Sequence, residues 1–199
     1  MGALTKPRVV SLSQVLRSAI ADATKSLQSL GGLKGEIAQA ANLLVEALTG
    51  KKKILACGNG GSAADAADFT TEFACRFIED RRPYPALNLS QGGSLLTATA
   101  NDYGFNEIFA RQIRAFANAG DVLVAITTSG QSKNIRRALE EAKSSRLKSI
   151  ALLGRNGGKC RGIADVDLIV ASNSTARIQE AHKFLLHVLC EIVEARLPR

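Results

Sequence analysis

The sequence predicts an α/β sandwich: a five-stranded parallel sheet covered by helices on both faces, with a helical pair at the N-terminus. Three observations carry that reading. From Lys53 onward, short apolar runs alternate with stretches of helical periodicity. The longer runs are continuously apolar, as in strands buried on both faces, and lack the in–out alternation of a strand with one wet face. Before Lys53 the periodicity is helical throughout.

The elements follow in order. Residues 10–30 repeat apolar side chains near every third or fourth position, an amphipathic helix, and Gly31-Gly32 interrupts it. A second helix over 33–50 stops at Gly50. The five strands are KILACG (53–58), PALNLS (85–90), VLVAITT (122–128), SIALLG (149–154) and VDLIVAS (166–172). Helices are expected over 62–78, 106–118, 132–146 and 158–164, with a last one over 175–197. A chain of 199 residues fits one domain, 1–199, in which 10–50 form an N-terminal helical extension.

Composition removes several classes. No apolar run approaches the ~20 residues of a membrane-spanning helix. The first twenty residues break their apolar positions with Ser, Gln and Arg, unlike a signal-peptide core, and Lys6 spoils the myristoylation pattern that Met1-Gly2 begins. Cys57, Cys75, Cys160 and Cys190 form no CxxC pair, which speaks against a zinc ribbon or a disulfide scaffold. A cytoplasmic chain with no membrane partner is expected. Lys and Arg outnumber Asp and Glu by 26 to 18, a net charge of +8 that fits an anionic partner. Aromatics are 5% of the chain with no Trp, too few for a base-stacking surface, so no nucleic-acid partner is expected.

Polar chemistry concentrates at the carboxyl ends of the strands, where open parallel sheets bind ligands. The first strand runs into Gly58-Asn59-Gly60-Gly61-Ser62, and a helix opens directly after it. Small residues let backbone N–H groups approach an anion, and the helix N-terminus adds unpaired donors and a favourable dipole. The third strand runs into Thr127-Thr128-Ser129-Gly130-Gln131-Ser132, four hydroxyls in six residues at a second helix start. One such loop reads equally well as a tight turn with Ser62 or Ser132 as N-cap. Two at equivalent strand ends point to a phosphorylated ligand.

Gly58-x-Gly60-x-x-Ala63 satisfies a loose dinucleotide fingerprint, but the second strand ends Asn88-Leu89-Ser90-Gln91, with no acid for a ribose. No Gly-Lys-Ser/Thr triplet occurs either, so a compact sugar phosphate is favoured over a nucleotide. The loops hold no Lys or Arg before Lys133, which leaves binding to amides, hydroxyls and helix dipoles. The excess charge at most steers an anion inward.

The helix after the first loop carries Asp65, Asp68 and Glu72 on one face. Asp65 is explained by the helix dipole. Glu72 lies further along, between Phe69 and Phe73, and a carboxylate among apolar neighbours is suited to act as a base. Both histidines, His182 and His187, fall in the last helix. His187 sits in the apolar stretch FLLHVLC, where an unpartnered imidazole is costly, whereas His182 beside Lys183 reads as an ordinary exposed residue. His187 is therefore the functional candidate.

In order and spacing, CGNGGSAADAADF, PALNLS, TATANDYGFNEIFARQ, GDVLVAITTSGQS, LLGRNGG and ARIQEAHKFLLH resemble the phosphoheptose isomerases, a family of the sugar isomerase (SIS) domain group. The resemblance implies a flavodoxin-like three-layer sandwich, assembled as a homotetramer with active sites between subunits. It implies interconversion of sedoheptulose 7-phosphate and D-glycero-D-manno-heptose 7-phosphate through an enediol, toward the activated heptose of surface glycans such as lipopolysaccharide. Substrate-binding positions of the family fall on Asn59, Gly60, Gly61, Ser62, Glu72, Asn101, Asp102, Thr127, Thr128, Ser129, Ser132 and Gln179. Its catalytic Glu and His match Glu72, the base at carbon, and His187, the acid at oxygen.

Many family members bind zinc through a His four residues before the catalytic Glu, that Glu, a Gln and the final His. Those positions here are Asp68, Glu72, Gln179 and His187, so the resemblance implies a divalent-metal site, zinc by family, with Asp68 in place of the His. Some similar SIS proteins are non-enzymatic tetramers that partner a replication initiator. Retention of Glu72, Gln179 and His187 favours the enzyme over such a scaffold. An isomerase or sensor of another sugar phosphate is the third reading.

Overall fold

Five strands, β1 (Ile54–Gly58), β2 (Ala86–Asn88), β3 (Val122–Thr127), β4 (Lys148–Gly154) and β5 (Val166–Val170), form one sheet in the order β2-β1-β3-β4-β5. Every neighbouring pair is parallel. A computed structural model describes residues 11–198; the Met1-Gly2 motif, the start of the first helix at residue 10, and Arg199 lie outside the described residues. The strand order is the flavodoxin-like one, and it reverses between β1 and β3. The two polar loops therefore leave the sheet side by side at its switch point.

Alternate residues of each strand feed two separate cores. Ile54, Ala56, Val122, Val124, Ile126, Ile150 and Leu152 pack against α2 (Lys34–Thr49), α3 (Gly61–Ala74) and α7 (Thr175–Glu194). Leu55, Cys57, Leu123, Ala125, Ala151 and Leu153 pack against α5 (Ala110–Phe116) and α6 (Lys133–Ser144). Both faces are dry, which is why these strands read as continuous apolar runs. α2 buries Ala40, Ala41, Leu44, Ala47 and Leu48 and so forms part of one helical layer. α1 (Leu12–Ser29) runs outside it along α7, where the Arg177 guanidinium donates to the Ala19 carbonyl at 2.7 Å. The outer face of α1 leaves Leu12, Val15, Leu16 and Ile20 exposed.

Four elements differ from expectation. α4 (Gly93–Tyr103) occupies a stretch in which the sequence shows no element; it buries only Thr99 and meets the core through half-buried Leu96 and Ala100, too short an apolar stripe to mark a helix. The helix expected over 106–118 is a 3-10 turn at Phe105–Glu107 followed by α5. The helix expected over 158–164 is a single 3-10 turn at Gly158–Cys160, entered through Gly157 and Gly158 at φ of +85° and +55°. α3 ends at Ala74 and does not reach 78, because the Arg81 guanidinium donates to the Glu72 and Phe73 carbonyls that another helical turn would use. No described helix is long and apolar enough to cross a membrane.

Candidate active site

The first loop is shaped by close backbone approach. A Cβ on Gly58 would meet the Ser62 carbonyl oxygen at 2.3 Å, so the strand folds straight back onto the opening turn of α3. Gly60, at φ +54°, is the N-cap of α3, and no side chain caps this helix. In the second loop Ser132 takes the N-cap position of α6, yet its hydroxyl caps nothing and lies 3.1 Å from Thr127 Oγ1. The Ser129 hydroxyl lies 3.4 Å from the same atom. The N-cap reading thus fails for Ser62, which is buried inside the first turn of α3, and holds for Ser132 in position only, since its hydroxyl joins a cluster with Thr127 and Ser129. The Ser62 and Ala63 N–H groups are taken up by the Asn59 and Gly60 carbonyls and that of Ile135 by Asn134, so among the described contacts it is the Gly61 N–H of α3 and the Lys133 and Asn134 N–H groups of α6 that stay open to an anion.

Residues outside the sequence-derived set hold these loops in place. The Asn59 and Asn134 side-chain amides exchange two hydrogen bonds of 2.9 and 2.8 Å, joining the first loop to the start of α6. Ser90 Oγ, at the end of β2, donates to the Gly58 carbonyl and accepts from the Gly58 N–H, both at 3.0 Å. Behind the second loop, a Cβ on Gly130 would meet the Gly157 carbonyl oxygen at 2.2 Å, and one on Gly154 would meet that of Thr128 at 2.1 Å. The LLGRNGG segment therefore buttresses the hydroxyl cluster. A cleft of about 820 Å³ opens beside Ser129 and Gln131, and Lys25, Arg155 and Arg177 bring positive charge to its wall. Those three cations lie on α1, after β4 and on α7, which is why inspection of the loops alone finds none.

The candidate acid and base lie on a seam between two helices. Along α7, Gln179, Lys183 and His187 are four residues apart and share one stripe; along α3, Gly61, Asp65, Asp68 and Glu72 share another. The stripes run parallel and meet rung by rung. A Cβ on Gly61 would sit 2.3 Å from Gln179 Nε2, so the Gln179 amide packs on the opening turn of α3. Lys183 Nζ lies 3.0 Å from Asp65 Oδ1 and also pairs with Asp68. Burial works against that ammonium, but Asp68 and Asp65 outweigh it and hold its pKa above the ordinary lysine value. The same register brings Glu72 to the level of His187. In agreement, the Cys190 thiol one turn further is pushed well up, by burial first and by the negative charge of Glu72 second.

Three expectations need correction. His182 is fully buried, part of the apolar stripe of α7 with Ile178, Leu185 and Leu189, and neither ring nitrogen has a hydrogen-bond partner. Burial pushes it down to about 4; the Leu153 backbone approaches the ring and offsets this only in part. His187 is exposed on this chain, with its ring centroid 5.9 Å from that of Phe77, because α7 turns that residue away from the sheet. Glu72 is half-buried, facing the seam while Phe69 and Phe73 point into the core.

Asp68, Glu72, Gln179 and His187 do not gather as a metal-holding set. Among the described residues no three His, Cys, Asp or Glu side chains gather closely enough to hold an ion. The Asp68 carboxylate faces the Lys183 ammonium, so the folded donor set does not fit a zinc ion. Asn101 and Asp102 lie exposed at the end of α4, where the Asn101 amide donates to the Asp102 carboxylate at 2.9 Å. Among the described contacts, nothing joins them to the two loops of the same chain.

Two Gly- and hydroxyl-rich loops at the switch point of a 2-1-3-4-5 sheet, beside the seam between α3 and α7, place the candidate site where open α/β domains bind their ligands. A model of the SIS domain matches residues 20–154, and the chain belongs to that family. Within it, the chain is 50% identical over 165 residues to the phosphoheptose isomerase of Geobacter sulfurreducens, covering 83% of this chain and 87% of the relative. It is 47% identical over 167 residues to that of Helicobacter pylori, covering 84% and 87%. The phosphoheptose isomerase structure from Neisseria gonorrhoeae superposes with a TM-score of 0.87 at 40% identity, over 93% of this chain and all of that one. The Francisella tularensis structure gives 0.89 at 37% identity, over 94% of this chain and all of that one.

Proposed function

We propose that this chain is an aldose–ketose isomerase that interconverts sedoheptulose 7-phosphate and D-glycero-D-manno-heptose 7-phosphate. The observation that carries the reading is the seam: one helix, α3, supplies both the anion-cradling start at Gly60-Gly61 and, on the stripe facing His187, the carboxylate of Glu72. The hydroxyls of Thr127, Ser129 and Ser132 and the free helix N–H groups hold the phosphate, with Thr128, Asn59 and Ser62 shaping the loops. Glu72 takes the proton from carbon and His187 serves the adjacent oxygen, with Gln179 orienting the sugar. Binding energy from the remote phosphate fixes the reacting carbons in register. The chain's product feeds the making of activated heptose.

The working form we propose is a homotetramer in which Asn101 and Asp102 complete the site of a neighbouring copy. The exposed apolar face of α1 (Leu12, Val15, Leu16, Ile20) supports that assembly. All four cysteines are free, which supports a reducing, cytoplasmic setting.

Incubation of the purified chain with sedoheptulose 7-phosphate tests the reading. Aldose is expected to accumulate, and Glu72→Gln and His187→Ala each slow it by ~10²-fold or more. No turnover by the parent sinks the isomerase in favour of a binding role; full turnover by Glu72→Gln sinks the assignment of the base.

A further inference from the structure

Lys183 lies at the centre of the seam. It is four residues from Gln179 and four from His187, so its side chain is the middle of three on one stripe of α7. On the facing stripe Asp68 and Glu72 are also four apart. An ion bound by Asp68, Glu72, Gln179 and His187 together would have to sit at the level of Lys183. That level is taken. The ammonium is 3.0 Å from the nearly inaccessible Asp65 carboxylate, whose residue is 2% exposed, and it also pairs with Asp68.

We propose that the Lys183 ammonium is the resident cation of this site, a fixed single positive charge where a divalent metal would otherwise lie, and that the chain needs no metal. Three features argue together. Asp65 and Asp68 face the seam seven and four residues before Glu72, and the ammonium answers both, the buried carboxylate of Asp65 and the exposed one of Asp68. Asp65, deep in the first turns of α3, would be a buried unpaired charge without Lys183. A dication brought within a few ångströms of an ammonium is repelled by it, so the two exclude one another. A positive charge at this level stabilises negative charge building on substrate oxygens as a metal would, without exchange with solvent. The activity part of this inference rests on the isomerase reading above; the metal part does not.

The test uses the full chain purified without chelator. Metal content is measured by mass spectrometry, and turnover of sedoheptulose 7-phosphate is followed before and after dialysis against EDTA. The same is done for Lys183→Arg, Lys183→Met and the double variant Asp68→His/Lys183→Met, with zinc titrated calorimetrically into each and folding checked by circular dichroism. Expected are a parent with far less than one metal per chain, and turnover indifferent to EDTA. Lys183→Arg should keep most of the rate, Lys183→Met should lose ~10-fold or more, and the double variant should take up one zinc per chain. Stoichiometric metal in the parent, or turnover lost to EDTA and restored by zinc, overturns the proposal. So does full turnover in Lys183→Met, or a folded double variant that takes up no zinc. A parent that turns over nothing removes the isomerase reading, and the metal stoichiometries then decide this one alone.

Discussion

The side-chain amides of Asn59 and Asn134 exchange two hydrogen bonds across the switch point of the sheet. Asn59 follows β1 and Asn134 follows β3, so the pair sets the spacing between the two loops of the candidate site. Asn134 is 2% exposed, and its carbonyl oxygen also accepts from the Ile135 N–H at 2.9 Å. Replacing it strips the half-buried Asn59 amide of both its partners. Asn134→Ala should lose about 1–3 kcal/mol in urea unfolding and raise KM for the sugar phosphate. Parental stability together with parental KM would mean that each loop holds its own shape.

Two glycines separate positioning from folding. At Gly61 an added Cβ meets only the far end of the Gln179 side chain, 2.3 Å from Nε2, and that amide can swing aside. Gly61→Ala should therefore stay within about 1 kcal/mol of the parent, since Ala suits a helix, while turnover falls because Gln179 is displaced. At Gly130 the Cβ meets the Gly157 carbonyl oxygen at 2.2 Å, at a φ of +64°. Backbone cannot swing aside, so Gly130→Ala should lower both melting temperature and substrate affinity. Equal effects of the two variants on melting temperature would break the distinction.

Much of this was legible before the fold was known, and the misses have physical causes. β1, β3 and β4 and both loops are readable because parallel strands buried on two faces leave unbroken apolar runs, and loops at their carboxyl ends concentrate Gly, Ser and Thr, whereas β2 and β5 are half-exposed on one face and carry a weaker apolar signal. α4 is hidden because it meets the core through only Thr99, Leu96 and Ala100, a stripe too short to stand out in the sequence. Its neighbour Lys183 makes His182 read as exposed, although its spacing holds the answer. Residues 178, 182, 185 and 189 fall on one helical face, and all four are buried. Judging His187 by the apolar letters around it made the opposite error. The pairing of Lys183 with Asp65 and Asp68 links residues over a hundred positions apart. Only the packing of α3 on α7 brings them together.

Arg81 and Glu194 form a second long-range device, under the end of the helix that carries Glu72. Arg81 Nε lies 3.0 Å from Glu194 Oε1, and the two side chains are 3% and 8% exposed. Burial works to raise the Glu194 pKa, but the Ile78 and Glu79 N–H groups, with Arg81, hold it below the usual carboxylate range. Arg81→Ala strips this carboxylate of its partner and uncaps α3 at the Glu72 carbonyl. A loss of about 3–5 kcal/mol is expected in denaturant unfolding, the scale for breaking a buried pair from one side. Glu194→Gln, which keeps the shape and removes the charge, should cost less. Loss below about 1 kcal/mol in Arg81→Ala would show the pair to be an exposed one in solution.

His182 gives the fold a pH dependence with a defined sign. Its folded pKa is about 4, against 6.5 for the free imidazole. Between those values the unfolded chain binds a proton that the folded chain refuses, so unfolding becomes easier as pH falls. The contribution is fully present above pH 6.5 and is lost as pH drops through the folded value near 4. Integrated over that window it is on the order of 3 kcal/mol. Carboxylates contribute their own slope at the acid end, so the informative quantity is the difference between the parent and His182→Leu, which stays buried and cannot titrate. Denaturant unfolding at half-unit steps from pH 7 to pH 4 should show the parent losing stability faster than the variant, most of the divergence arising below pH 6.5. Parallel curves would mean that the imidazole finds a partner in solution that lets it charge inside the fold.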